Sequence, residues 1–192
     1  MTKPRVASLV MLLVPTLALA GYSVDVNSVP DLKGRVRTLA IAPGSCPPGV
    51  DCLWLEDKLR DAVADHRSAG VMFVLSARQV REKMFALGID AVDADARAKL
   101  AEAMSLDAFV IPIVQFSGMK SSGAVGTVTG SVFGIAQTEI AKGAVELLIV
   151  EPKSGAVLMK GIGYGDSGWK AEKGVLLSMF KKMLSRAFST TP

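Results

Sequence analysis

Along residues 35 to 188, short apolar runs of strand length alternate with amphipathic stretches of helical period, and this order restricts the fold more than any other feature. Residues 36–42 alternate in character, are rich in β-branched side chains and end at Pro43. From Leu55 the apolar positions recur at helical spacing, up to a helix end near Gly70. Strands alternating with helices predict the α/β or α+β class, with a single mixed β-sheet of about five strands covered by about four helices.

The middle of the chain repeats this pattern. The continuous apolar run 71–75 predicts a strand buried on both faces, and Ser76 can cap the helix that follows it. Asp93 or Asp95 can cap a third helix, which leads into an apolar strand over 108–114.

The end of the chain predicts a hairpin and a last helix. Residues 144–150 and 156–162 have strand character, and the segment 152–155 between them has tight-turn composition. Apolar residues then recur on one stripe from Val175 to Ala187.

Residues 1–20 have the composition of a secretory signal peptide. Lys3 and Arg5 precede an apolar run that ends in Ala18-x-Ala20, the small residues that a signal peptidase requires. The run is too short to span a membrane comfortably. Gly21 precedes Tyr22 where a bacterial lipobox carries a cysteine, so no lipid anchor is expected. We therefore expect a periplasmic or secreted protein, with a peripheral association with the outer membrane as a further option.

The predicted leader divides the chain into four parts. After the signal peptide 1–20 come a polar N-terminal lead-in over 21–34, one domain over 35–188 with a Gly-rich insert at 118–142, and a tail over 189–192. Without the leader, 20 basic residues face 18 acidic ones, a net charge of +2. This mild charge, with no basic run, predicts no nucleic-acid partner.

Cys46 and Cys52 are the only cysteines, and five residues that include a Pro-Gly turn lie between them. In an oxidising compartment such a pair predicts a disulfide that closes a short loop. The chain has a single histidine, so no metal site is expected.

Four short sequence segments resemble those of the bacterial envelope domains grouped around the curli secretion channel protein CsgG, the TolB amino-terminal domain and the LpoB-type lipoproteins. They are the opening strand ending in Ala42-Pro43, the segment 73–76, the segment 106–110 and the hairpin 147–158. The resemblance covers about residues 35 to 187. It implies a non-enzymatic envelope protein that binds partners or assembles into oligomers.

Two motifs raise enzymatic or nucleotide-binding alternatives. Gly165-Asp166-Ser167-Gly168 copies the nucleophile tetrapeptide of trypsin-like proteases, but the only candidate base is His66, at a predicted helix end. Gly163-x-Gly165-x-x-Gly168 matches a dinucleotide fingerprint, but it comes too late in the chain to lie in an early βαβ unit. Turn residues explain both motifs better, so we expect no catalytic residue and no cofactor.

The segment 121–138 inside the insert contains no charge and four glycines. Three interpretations stay open: a mobile Gly-rich surface loop, a surface for self-association or partner binding, and a membrane-inserting hairpin. The residues expected to carry an interaction surface are Gly123, Gly126, Gly130, Phe133 and Gly134.

The sequence thus predicts an exported bacterial cell-envelope protein that acts as a non-enzymatic binding or assembly module. Its expected partners are envelope proteins or further copies of itself, with membrane contact through 121–138 as an option. The alternative is an oligomeric outer-membrane pore or secretion-channel subunit of the curli-channel type. A secreted hydrolase that uses Ser167 is a lesser alternative.

Overall fold

The computed structural model describes residues 22–30, 32–124, 127–128, 131–132, 136–167 and 172–189. The strands are β1 (Tyr22–Ser28), β2 (Thr38–Ile41), β3 (Phe73–Leu75), β4 (Ala108–Ala124), β5 (Thr127–Val128), β6 (Ser131–Val132), β7 (Ala136–Val150) and β8 (Val157–Ser167). The helices are α1 (Leu32–Arg35), α2 (Cys52–Ala64), α3 (Ala77–Leu87), α4 (Ala94–Met104) and α5 (Glu172–Ser189).

Six of these strands form one open mixed sheet in the order β1-β8-β7-β4-β2-β3. Strand β2 lies parallel to both β3 and β4, and the other neighbouring pairs are antiparallel. The expected mixed α/β architecture is confirmed. The sixth strand comes from the segment that the sequence analysis placed in a polar lead-in.

That sixth strand, β1, pairs with β8 from Tyr22 opposite Gly165 to Ser28 opposite Met159. Its polar residues alternate with Tyr22, Val24 and Val26, which pack against the core under α5. The sequence of β1 by itself predicts a strand only weakly, because its apolar face is stabilised by contacts with β8 and α5.

One face of the sheet is covered by α2 and α5, which enclose the larger hydrophobic cluster. Helix α5 lies close to the sheet because three strand positions beneath it are glycine. A Cβ on Gly143 would come within 2.6 Å of Leu176, and one on Gly161 within 2.8 Å of Met183.

The described residues cover only half of the opposite face. Helices α3 and α4 cover the β2–β4 half, where Ala40, Leu100 and Phe109 belong to a second hydrophobic cluster. On the β8 side of that face, Ile162 and Tyr164 are 45% and 52% exposed.

The expectation that residues 71–75 form a strand buried on both faces is wrong. The strand is Phe73–Leu75, at the outer edge of the sheet, and Phe73 is 63% exposed. A continuous apolar run indicates a strand but does not give its place in the strand order, which is a long-range property.

The helix ends follow the local sequence signals. Ser76 and Gln79 form a reciprocal capping box at the start of α3, and Gly88 ends this helix in the left-handed conformation. Of the two candidate caps for α4, the structure uses Asp93, whose carboxylate accepts a hydrogen bond from the Ala96 N–H.

Candidate interaction site

Strands β4 and β7 form a long antiparallel hairpin that projects beyond the rest of the sheet. They pair from Phe109 opposite Val150 to Ala124 opposite Ala136. In the part of the chain that the structure describes, β8 accompanies β7 as far as Ala141, which lies opposite Ser167. Residues 120–124 and 136–140 therefore continue as a two-stranded ribbon, which we call the β4–β7 ribbon.

The interpretation of the Gly-rich segment as a surface loop is wrong for these residues, because both sides are regular strand. The 17 residues of β4 extend about 55 Å, at roughly 3.3 Å per residue. Low charge and frequent glycine indicate a loop by composition, but hydrogen bonds between the two strands outweigh the weak intrinsic preferences.

Of the predicted interaction residues, Gly123 lies in the ribbon opposite Gln137. Gly126, Gly130, Phe133 and Gly134 lie outside the described residues. The short strands β5 and β6 lie between the two arms of the ribbon in the chain, and they pair with each other.

The side of β4 that faces β2 is covered only over its first residues. Strand β2 pairs with β4 up to Ile41 opposite Val110. Beyond β2, Ser45 extends the cover: its N–H donates to the Pro112 carbonyl at 3.1 Å, and its carbonyl accepts from the Val114 N–H at 2.8 Å.

Past Val114, none of the strands in the described part of the chain pairs with this side of β4. Pro112 lies just before this point. A proline is tolerated there because Ser45 bonds to the Pro112 carbonyl and needs no N–H donor from Pro112. Alternate residues of an unpaired strand edge present free N–H and C=O groups. Such an edge is a template for a strand from another chain.

The two outer edges of the main sheet are protected. Strand β3 has only three residues. Along β1, the Arg186 guanidinium donates to the Val24 carbonyl, and the Lys182 ammonium lies 4.9 Å from the centre of the Tyr22 ring. Short length and charged groups at an edge both disfavour strand addition.

A disulfide-closed loop adjoins the point where the cover of β4 ends. Cys46 and Cys52 are joined, as their spacing predicts, with Cα atoms 6.0 Å apart. Gly44 packs so closely that a Cβ there would lie 3.1 Å from Pro112 Cγ and 3.4 Å from Cys52 Sγ. The residue just before the loop, Gly44, is therefore packed directly on β4 and on the first residue of α2.

A buried carboxylate that the sequence did not predict holds the segment just before this loop. Glu56 is 2% exposed, and its Oε1 accepts from the Gly44 N–H at 2.7 Å. Both carboxylate oxygens lie 2.6 Å from Arg81 Nη2 on α3. The available signal was the position of Glu56 between Leu55 and Leu59 on the apolar side of α2, where a charge requires a partner.

The start of α5 contacts the loop through Asp51. The Asp51 carboxylate caps α2 at the Trp54 N–H and lies 2.9 Å from Lys173 Nζ, which also lies 5.3 Å from the Trp54 ring centre. The hydrogen bond from Lys173, followed by that from Trp54, lowers the pKa of Asp51. Lys173, Lys182 and Arg186 on α5 thus all make contacts within the chain.

The proposed protease pair is not assembled. His66 stacks on Phe188, near the end of α5, with ring centres 5.0 Å apart. Ser167 ends β8, which runs antiparallel to α5, so it lies at the helix start and roughly 25 Å from His66. Burial lowers the pKa of His66, and Asp65 partly opposes that shift.

The Gly163-x-Gly165 motif lies within strand β8, and neither glycine forms a turn. A Cβ on Gly163 would lie 2.8 Å from Met183 Cε and 3.2 Å from Met179 Cβ. Gly163 therefore serves helix–sheet packing, and the expectation of turn residues is wrong for Gly163 and Gly165. Gly168 lies outside the described residues. Among the described residues, no helix has the length and apolar character needed to cross a membrane.

Comparisons with known proteins identify the fold. No protein-family model and no curated protein matches the sequence. Among solved structures, the chain is similar to the PelC dodecamer from Paraburkholderia phytofirmans, with 11% identity, 89% of this chain and 100% of that chain covered, and a TM-score of 0.55.

A variant of the same PelC in another crystal form has 12% identity and a TM-score of 0.55, and the match covers 88% of this chain and 100% of the PelC chain. Lipoprotein GNA1162 from Neisseria meningitidis gives 18% identity, coverage of 80% and 99%, and a TM-score of 0.49. The resemblance to CsgG, TolB and LpoB stays a prediction.

Proposed function

We propose that this protein is an exported, non-enzymatic assembly module of the bacterial cell envelope, which self-associates through the free edge of β4 and the β4–β7 ribbon. The main observation in support is the contrast between the outer edges of the main sheet and the free edge of β4. The outer edges of the main sheet are short or are contacted by a charged side chain, whereas β4 past Val114 is long and, on the side opposite β7, has no described strand beside it.

Three further observations support the proposal. The fold is shared with PelC, a protein solved as a dodecamer, so this architecture is compatible with a closed assembly. The leader over 1–20 predicts export, and the Cys46–Cys52 disulfide is typical of an oxidising compartment outside the cytoplasm. The separation of Ser167 from His66 argues against a hydrolase that uses this pair.

The direct test compares the mass of the mature chain, residues 21–192, with that of a ribbon-shortened variant. In the variant, Asn-Gly replaces residues 119–141, so that the pair Gly118 and Lys142 flanks a two-residue turn. We expect native mass spectrometry and light scattering to give one discrete oligomer for the mature chain and a monomer for the variant.

Phe85→Ser is the matched control. Phe85 is 90% exposed on α3, away from the ribbon, and is the most exposed large apolar residue of the described chain. Its removal should leave the oligomer mass unchanged. A monomeric mature chain, or an oligomer that survives ribbon shortening and dissociates with Phe85→Ser, contradicts the proposal.

A second candidate is the pore or secretion-channel subunit, and the projection of the ribbon beyond β8 favours it. A membrane-spanning strand needs about 9–11 residues, and in the sequence residues 120–128 and 131–140 supply about that number on each side of residues 129–130. Discrete ion currents across a planar lipid bilayer, absent with the ribbon-shortened variant, would support this candidate. A detergent-insensitive assembly without currents argues against it.

A further inference from the structure

We propose that the Cys46–Cys52 disulfide regulates the assembly site by fixing where the free edge of β4 begins. This inference rests on the proposed function, because it concerns the strand that a second copy adds to that edge. The disulfide joins Cys46, the neighbour of Ser45, to Cys52, and Ser45 is hydrogen-bonded to the backbone of Pro112 and Val114.

The loop lies directly in the path of an added strand. A strand that pairs with β4 past Val114 continues the line that β2 and Ser45 occupy, since they bond to the same side of β4. The loop turns away from β4 at Cys46, the next residue, which is joined to the start of α2. The β4–β7 register shifts between Val114 and Phe116, so Phe116 is the first β4 residue past Ser45 that lies in regular strand register for an added strand.

A stop of this kind is needed because the edge itself specifies register weakly. Beyond Gln115 the strand sequence is rich in serine and glycine, including Ser117, Gly118, Ser121 and Ser122. Strands without a strong apolar pattern are prone to register slippage. A fixed boundary at Ser45 allows one register and blocks a shift toward Pro112.

The chemical step is thiol–disulfide exchange. A thiolate of an external dithiol attacks one sulfur of the Cys46–Cys52 bond and forms a mixed disulfide, and the second thiol of the dithiol then resolves it. Two electrons and two protons pass to the protein, which gains two thiols, and the dithiol becomes a disulfide. After reduction, the Gly44 N–H bond to Glu56 still holds the segment before Ser45, and Ser45 itself is released.

The first test measures the opening of the edge in the ribbon-shortened variant, which separates it from assembly. Amide hydrogen exchange is followed by NMR in the oxidised protein, after dithiothreitol, and in the Cys46→Ser/Cys52→Ser variant. We expect the Val114 amide, bonded to Ser45 at 2.8 Å, to exchange about tenfold faster without the disulfide. The Asp107 amide, bonded to Thr38 at the far end of the β2–β4 contact, is the internal control and should not change.

The second test measures register in the mature chain. We expect one mass for the oxidised protein and a broad distribution of larger species for the reduced protein and for Cys46→Ser/Cys52→Ser. Unchanged Val114 exchange, or faster Val114 exchange with an unaltered oligomer mass, overturns the proposed regulation and leaves the proposed function standing. If ribbon shortening does not change the mass of the oxidised chain, the proposed function fails instead.

Discussion

Gly161→Ala tests the close packing of α5 on the sheet. The added Cβ would lie 2.8 Å from Met183 Sδ, 2.9 Å from Met183 Cγ and 3.3 Å from Met159 Cε. Met183 is fully buried, so its Cγ cannot move away without displacing its neighbours in the core. Overpacking of this kind costs about 1–3 kcal/mol, and the loss of a flexible glycine in a strand returns about 0.5–1 kcal/mol. We expect a net loss of about 1–2 kcal/mol in the free energy of unfolding.

Urea denaturation followed by circular dichroism measures this change, and Gly118→Ala is the matched control. Gly118 lies in β4 with no atom within 4 Å of the position where a Cβ would be, so its replacement should be neutral or slightly stabilising. A second replacement, Met183→Ala, should reduce the penalty of Gly161→Ala, because it removes the atoms that the new methyl meets. The packing argument is refuted if Gly161→Ala is as stable as Gly118→Ala, or if the two changes are additive.

The remaining predictions concern three other contacts of the described chain. Glu56→Gln should lower the free energy of unfolding by about 2–4 kcal/mol, because it weakens the ion pair of the buried Glu56 carboxylate with Arg81. Urea denaturation measures this loss, and Glu82→Gln, at an exposed ion pair, is the control. Burial lowers the pKa of His66 below its usual 6.5. Below pH 6.5, the unfolded chain therefore binds more protons at His66 than the folded chain does. Stability should therefore be fully present above pH 6.5 and fall as the pH drops below it, and thermal melts of His66→Gln should lack this component. Cys46→Ser/Cys52→Ser should lose about 2 kcal/mol of the free energy of unfolding, as expected for a loop closed over a sequence separation of 6. Urea denaturation measures this loss, and an unchanged free energy of unfolding would contradict a stabilising role of the disulfide.

Local signals in the sequence identified both ends of α3 and the start of α4. Ser76 and Gln79 supply a reciprocal cap from residues three apart, and Gly88 adopts a left-handed conformation that glycine tolerates. Such features depend on neighbouring residues, so they are visible without the fold. The Cys46–Cys52 pairing was predictable for the same reason, since a short separation leaves few alternatives.

The strand order was not visible in the same way. Phe73 lies in an apolar run typical of a buried strand, but its strand is at the edge of the sheet and its side chain is exposed. Residues Tyr22–Ser28 have the composition of a polar lead-in, but they pair with β8, which lies far away in the sequence. In both cases the outcome depends on which strand lies alongside, and that neighbour is distant in sequence. Glu56 was missed because its partners, Gly44 and Arg81, come from two other segments.

The candidate site divides along the same line. By itself, the sequence determined the class of fold, the predicted leader and the existence of an uncharged Gly-rich segment at 121–138. Only the tertiary structure decided that the flanks of this segment are paired strands, that Ser45 ends the cover of β4 at Val114, and that Ser167 lies far from His66. The physical reason is that helix caps and short loops are stabilised by local contacts, whereas a free strand edge is defined by the absence of a distant neighbour among the described residues.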